Sequence, residues 1–159
     1  MIEVFDNFLS EVDYKDVVRY CMAAPYTYGE VDYPGAKPTG MIHSVDETSW
    51  IHNLFRSELD EIVDVTEHPF DRMYVNCFAP NEVPDYHVDG KQGYTFLFYV
   101  NQRWNLKMQG ETQFLINNQI TGVLPYSNRM IQFDATLRHR ATSFTNRHRF
   151  TLAVKYGTQ

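Results

Sequence analysis

Cysteine is scarce in these 159 residues: Cys21 and Cys77 are the two present. Two cysteines are too few for a disulfide scaffold, and the expectation is a pair of reduced, buried thiols. Basic side chains are also in deficit. Fourteen Lys and Arg against twenty Asp and Glu leave a formal charge of −6 with histidine neutral. Nucleic-acid affinity needs clustered Lys and Arg, so this balance argues against a broad phosphate-binding surface, though a local basic patch stays open. No apolar run approaches the roughly 20 residues of a membrane helix. The opening Met1-Ile2-Glu3-Val4-Phe5-Asp6 has no basic stretch leading into an apolar one. Neither a membrane span nor a signal peptide is expected, and the expected location is the cytoplasm. Aromatics, by contrast, are abundant: eleven Phe, eleven Tyr and two Trp make 15% of the chain, which excludes disorder. The length suits a single domain over 1–159, able to bury roughly 68–70% of its unfolded surface. There is no internal repeat, low-complexity tract or linker.

Ser10 followed by Asp13 has the form of a capping box with a shorter acid. Tyr14, Val17, Val18, Cys21 and Met22 then fall on one helical stripe, which Pro25 stops. Residues 25–45, punctuated by Pro25, Gly29, Pro34, Gly35, Pro38 and Gly40, read as a loop; one of this length is either a lid or a surface connector pinned by its tyrosines. A second helix is expected through Ile51, Leu54, Phe55, Leu59, Ile62 and Val63, with Thr48 or Ser49 as its cap. From residue 73 the pattern changes to short strands: Met73–Phe78, Tyr94–Val100, Thr112–Ile116, Thr121–Leu124, Met130–Phe133 and Arg149–Tyr156. Helices followed by many short strands predict an α+β chain, mostly β, built on a sandwich or barrel.

Among six histidines, at 43, 52, 68, 87, 139 and 148, His87 has the most informative neighbours, in Tyr86-His87-Val88-Asp89-Gly90. In an extended segment, residues two apart point the same way, so His87 and Asp89 would present an imidazole and a carboxylate together. That is two-thirds of the 2-His-1-carboxylate set of non-haem Fe(II) oxygenases. His-x-Asp also arises by chance, as a surface pair before a glycine turn. His139, where a strand end leads into a loop, could supply a third ligand. In Arg149–Tyr156, alternation puts Phe150, Leu152 and Val154 on one face and Arg149, Thr151 and Ala153 on the other. If the apolar face packs on the helices, Arg149 points inward and needs an anion, for which its planar fork suits a carboxylate. Otherwise it is an edge-strand surface charge.

Taken in order, several segments resemble the catalytic core of the Fe(II)- and 2-oxoglutarate-dependent dioxygenases, in particular the prolyl 4-hydroxylase-like branch. They are Tyr86-His87-Val88-Asp89, Tyr99-Val100-Asn101-Gln102-Arg103-Trp104, Gly110-Glu111-Thr112-Gln113-Phe114, Val123-Leu124-Pro125 with Arg129–Asp134, His139, and Arg149-Phe150-Thr151-Leu152. The resemblance covers residues from about 73 to 156, and Val4–Ser10 resembles the family's start. The resemblance implies a double-stranded β-helix (jelly roll) with N-terminal helices supporting one sheet. It implies Fe(II) on His87, Asp89 and His139, and 2-oxoglutarate chelating the iron with its far carboxylate on Arg149, aided by Tyr99 and Thr151. O2 is the co-oxidant, and ascorbate is an optional accessory. Asp134 and Arg138 are expected to be structural or supporting. The implied activity is hydroxylation of an unactivated C–H, first of all in a peptidyl proline. The partner is then a peptide, protein or small molecule, with a nucleic acid disfavoured and the oligomeric state open.

Three departures from the family pattern stand out. Phe78 is nearest to the place where relatives often carry a tyrosine. Lys155 stands near a common tryptophan, where it would project to the pocket mouth and meet an acidic substrate or a cosubstrate carboxylate. Gln109 replaces a frequent glycine. Two other classes compete: a cupin-like metal enzyme that uses no 2-oxoglutarate, and a non-catalytic jelly-roll binding module. An inward Arg149 with Tyr99 disfavours the first, and metal binding would disfavour the second.

Overall fold

The computed structural model describes residues 1–29, 31 and 33–158, the side chain of Thr158 apart. Helix α1 spans Glu11–Ala23, and the Ser10 hydroxyl accepts a hydrogen bond from the Asp13 N–H at 3.1 Å, closing its first turn. Its buried stripe is Tyr14, Val17, Val18 and Cys21, while Met22 is exposed. At 3.6 residues per turn Met22 lies about 80° round from Tyr14, beyond the face that meets the sheet. Helix α2 spans Trp50–Leu59, capped by Ser49 rather than Thr48, and buries Ile51, Phe55 and Leu59. The helix stops before Ile62, which is exposed in the next turn, and Val63 returns to the core. No helix among the described residues is long and apolar enough to cross a membrane.

The strands are β1 (Ile2–Phe5), β2 (Thr27–Tyr28), β3 (Met41–Ser44), β4 (Phe70–Phe78), β5 (Gln92–Tyr99), β6 (Thr112–Ile116), β7 (Gln119–Val123), β8 (Arg129–Asp134), β9 (His139–Ala141) and β10 (Arg149–Thr158). Seven form one antiparallel sheet in the order β1-β8-β5-β10-β4-β3-β2, and β7-β6-β9 form a second. This is the expected mostly β jelly roll with helices on one sheet. The stretch 25–45 differs from the expected loop. It contains β2 and β3, and β3 pairs with β4 through Met41↔Cys77 to Ser44↔Tyr74. The opening residues likewise form β1, which pairs with β8.

Alternation sorts the side chains into two cores. Leu152, Val154 and Tyr156 of β10 join Phe96 and Phe98 of β5, and Met73 and Val75 of β4, against Val17, Cys21, Ile51 and Phe55 of the helices. The opposite face sends Tyr74, Leu97, Tyr99 and Ala153 toward Phe114 of the small sheet. Polar side chains therefore reach the interior on this second face, between the sheets.

Candidate metal centre

Backbone pairing, not side-chain contact, brings the first candidates together. His87 and His139 form an isolated antiparallel bridge, each N–H donating to the other's carbonyl at 2.9 Å. Two residues on, the Asp89 N–H donates to the Ala135 carbonyl at 2.8 Å. The chain reaches His139 through a turn closed by Asp134, whose carboxylate accepts from the N–H and hydroxyl of Thr136 at 2.8 and 2.6 Å. Asp134 is thus structural, as expected.

His87 Nε2 lies 3.7 Å from Asp89 Oδ1, and His139 Nε2 lies 3.5 Å from Oδ2. One ligand atom from each of the three residues falls within 4.8 Å of the others. These separations exceed a hydrogen bond and leave room for an ion between the atoms. The imidazoles are oriented from behind. Nδ1 of His87 is 3.1 Å from the Asp85 carbonyl, and Nδ1 of His139 is 2.8 Å from that of Leu137. A carbonyl only accepts, so each neutral ring keeps its proton on Nδ1 and turns the Nε2 lone pair to the centre, the tautomer a metal requires. Burial pushes the pKa of His139 down and keeps it in that neutral form. Burial opposes the charge of Asp89 as well, but the Lys155 ammonium and the hydrogen bonds from Lys155 and Thr95 work against it, and the carboxyl is held well below the usual range. Two neutral nitrogens and one carboxylate on one side of a point suit a divalent metal with open positions.

This centre opens into a cavity of about 280 Å³ that also reaches Arg149, Thr151 and Thr112. Arg149 is 1% exposed. Its Nε donates to the Gly110 carbonyl at 2.9 Å and its Nη2 to Thr112 Oγ1 at 3.0 Å, while Nη1 has no hydrogen-bond partner. Among the described residues no carboxylate lies within ion-pair distance of it. Burial lowers its pKa, the desolvation that an anion beside it would relieve. Arg147 is exposed, so the inward register is the one expected from alternation.

Five placements differ from expectation or are not visible in the sequence. Tyr99 is fully buried and does not line the cavity; its hydroxyl donates to Thr112 Oγ1 at 2.7 Å. Thr112, which no local sequence signal marks, accepts from both Tyr99 and Arg149, so its own proton is left to donate elsewhere. Tyr74 lies on the same face of β4 as Phe78 and lines the cavity, so a tyrosine is present after all, four residues earlier. That alternation was readable in Met73–Phe78. Lys155 does not reach the mouth: it is 7% exposed and donates to Asp89 Oδ1 at 2.8 Å. Gln109 takes φ 58° without being glycine, and Gly110 is the residue that cannot change. A Cβ there would sit 2.3 Å from the Phe144 ring.

No protein-family model matches the sequence, and no curated protein does. Solved structures match well. A prolyl hydroxylase from Trichoplax adhaerens, in complex with a hypoxia inducible factor peptide fragment, superposes with a TM-score of 0.79 at 15% identity, covering 98% of this chain and 83% of that one. A Pseudomonas putida prolyl-4-hydroxylase gives 0.78 at 12% identity over 99% and 92%. HygX from Streptomyces hygroscopicus, with nickel and 2-oxoglutarate bound, gives 0.75 at 10% identity over 99% and 83%. At these identities the likeness is one of fold: the chain has the jelly roll of the 2-oxoglutarate-Fe(II) oxygenases.

Proposed function

We propose that this chain is an Fe(II)- and 2-oxoglutarate-dependent oxygenase that hydroxylates an unactivated C–H bond. The observation that carries the proposal is Arg149: a fully buried guanidinium with an unpartnered Nη1, on the same cavity as a His-Asp-His cluster. A metal site alone would not need that buried cation, which favours 2-oxoglutarate use over a cupin-like chemistry.

In this reading His87, Asp89 and His139 would hold Fe(II) and leave its other positions open. The bound iron would let O2 act as the oxidant, taking two electrons from 2-oxoglutarate, which leaves as succinate and carbon dioxide, and two from the substrate C–H. Arg149 holds the far carboxylate of 2-oxoglutarate, with the hydroxyls of Thr112 and Thr151 as further donors. Tyr99 acts one step back, orienting Thr112. The apolar walls, Leu97, Phe133 and Ala153, exclude water. The protein therefore contributes positioning and a dry site. HygX, solved with nickel and 2-oxoglutarate, supports the pairing of metal and cosubstrate. Ascorbate enters only as an accessory reductant.

The first substrate proposed is a peptidyl proline, because two of the neighbours are prolyl hydroxylases and one is solved with a peptide. Gly40, Met41 and Ile42, from the stretch 25–45, lie at this cavity with Val31 and Pro84, so that stretch is the proposed substrate cover. The test is Fe(II)-dependent succinate release from 2-oxoglutarate, screened with proline-rich peptides, free amino acids and nucleosides. Stimulation by one class names the substrate, and His87→Ala, Asp89→Ala and His139→Ala each abolish turnover. Undiminished succinate formation in all three variants overturns the proposal.

A further inference from the structure

The Asp89 carboxylate has a tenant besides any metal. Lys155 Nζ donates to its Oδ1 at 2.8 Å, and the Thr95 hydroxyl donates to its Oδ2 at 2.6 Å. The side chains of Lys155 and Asp89 are 9% and 4% exposed, so neither charge is solvated by bulk water. Lys155 follows Arg149, Thr151 and Ala153 along the inward face of β10, and its ammonium lies 5.3 Å from the centre of the Tyr74 ring. A lysine is thus held where a cation is wanted, against one of the three candidate ligands.

We propose that Lys155 is a resident counter-cation that competes with the metal for Asp89. The inference rests on the metal reading of His87, Asp89 and His139. In the metal-free protein the ammonium neutralises a buried carboxylate that would otherwise stand uncompensated. When a divalent ion arrives, it shares that carboxylate with a positive charge already in place, and the two cations repel in a poorly screened interior. The ligand geometry does not depend on Lys155. Thr95 still fixes Oδ2, the Asp89 backbone is tied to Ala135, and both imidazoles are oriented by carbonyls. Charge, rather than positioning, therefore decides the effect of Lys155. A site built this way loads when free metal is abundant enough to displace an internal cation. It empties without unfolding, because Lys155 keeps Asp89 compensated.

The experiment titrates the full metal-free chain with Mn(II) alone, by calorimetry, and follows its Tm with and without the ion. Lys155→Met, which keeps the length and removes the charge, should bind Mn(II) at least about tenfold more tightly than the unaltered chain. Its Tm without metal should fall, and the rise that Mn(II) produces should be larger than in the unaltered chain. Lys155→Arg keeps the charge and should stay within about threefold of the original affinity. Thr95→Val removes an orienting hydrogen bond without removing charge, and should weaken binding by about tenfold or more. If Lys155→Met does not fold, Lys155→Gln, which keeps a donor without the charge, carries the same expectation. Equal or weaker Mn(II) binding in the uncharged variants overturns the inference while the metal site stands. Absence of Mn(II) binding in every variant and in the unaltered chain removes the metal reading and the inference with it.

Discussion

Arg149 is a positive charge in a place with almost no water, held by a carbonyl and a hydroxyl that cannot neutralise it. A bidentate anion would supply the missing partner. Arg149→Ala should raise the 2-oxoglutarate KM by at least about tenfold, in line with loss of a charge-assisted hydrogen bond, while Mn(II) affinity in calorimetry stays unchanged. Arg147→Ala, on the exposed turn just before it, should alter neither. Asp89 makes a second residue-scale expectation. Its folded pKa is depressed, so its contribution to stability is present above its unfolded pKa of about 3.9 and is lost as pH falls through the lower folded value. The Tm of the metal-free chain should therefore drop steeply below about pH 4. Asp89→Asn should show a shallower drop in the same thermal scans across pH.

At the scale of elements, the two faces of the large sheet have separate tasks. The helix side carries the main apolar core, and Phe55 of α2 is its keystone, with ring centres 5.3 Å from Phe98 and 6.4 Å from Phe8. Phe55→Ala should cost about 3–5 kcal/mol in urea unfolding, since the ring is fully buried. Mn(II) affinity measured well below the transition should not change, because the cavity opens on the other face. The elements that define this division are legible in the sequence: two apolar helical stripes, the Ser10 cap and the alternation of β10 all have local periodicity. The edge elements are not. β2 is two residues long and β9 three, too short for an alternating pattern, and the proline and glycine around β2 and β3 carry a loop signature. Their strand character comes from partners distant in sequence, such as Cys77 for Met41 and Phe114 for His139.

Over the whole molecule, the site divides along the same line. His87 and Asp89 could be paired from spacing alone, and Arg149 from alternation. Lys155 on Asp89 spans 66 residues and Tyr99 on Thr112 crosses between sheets, so topology alone brings them together. The same topology orders events during synthesis. β10 is the middle strand of the large sheet, hydrogen-bonded to β4 on one side and β5 on the other. Among the described residues it also follows every other strand in chain order, so it leaves the ribosome after all of its partners. Until it emerges, β4 and β5 have no neighbour between them, and their apolar faces and open edges are exposed. At a synthesis rate of about 5–20 residues per second, the gap between β5 and β10 lasts some seconds. Arg149 and Lys155 arrive together on β10, so the nascent chain carries the His-Asp pair before it carries either buried cation. Both helices precede β4 and β5 in the chain, so they are placed to shelter one face of the incomplete sheet during the wait.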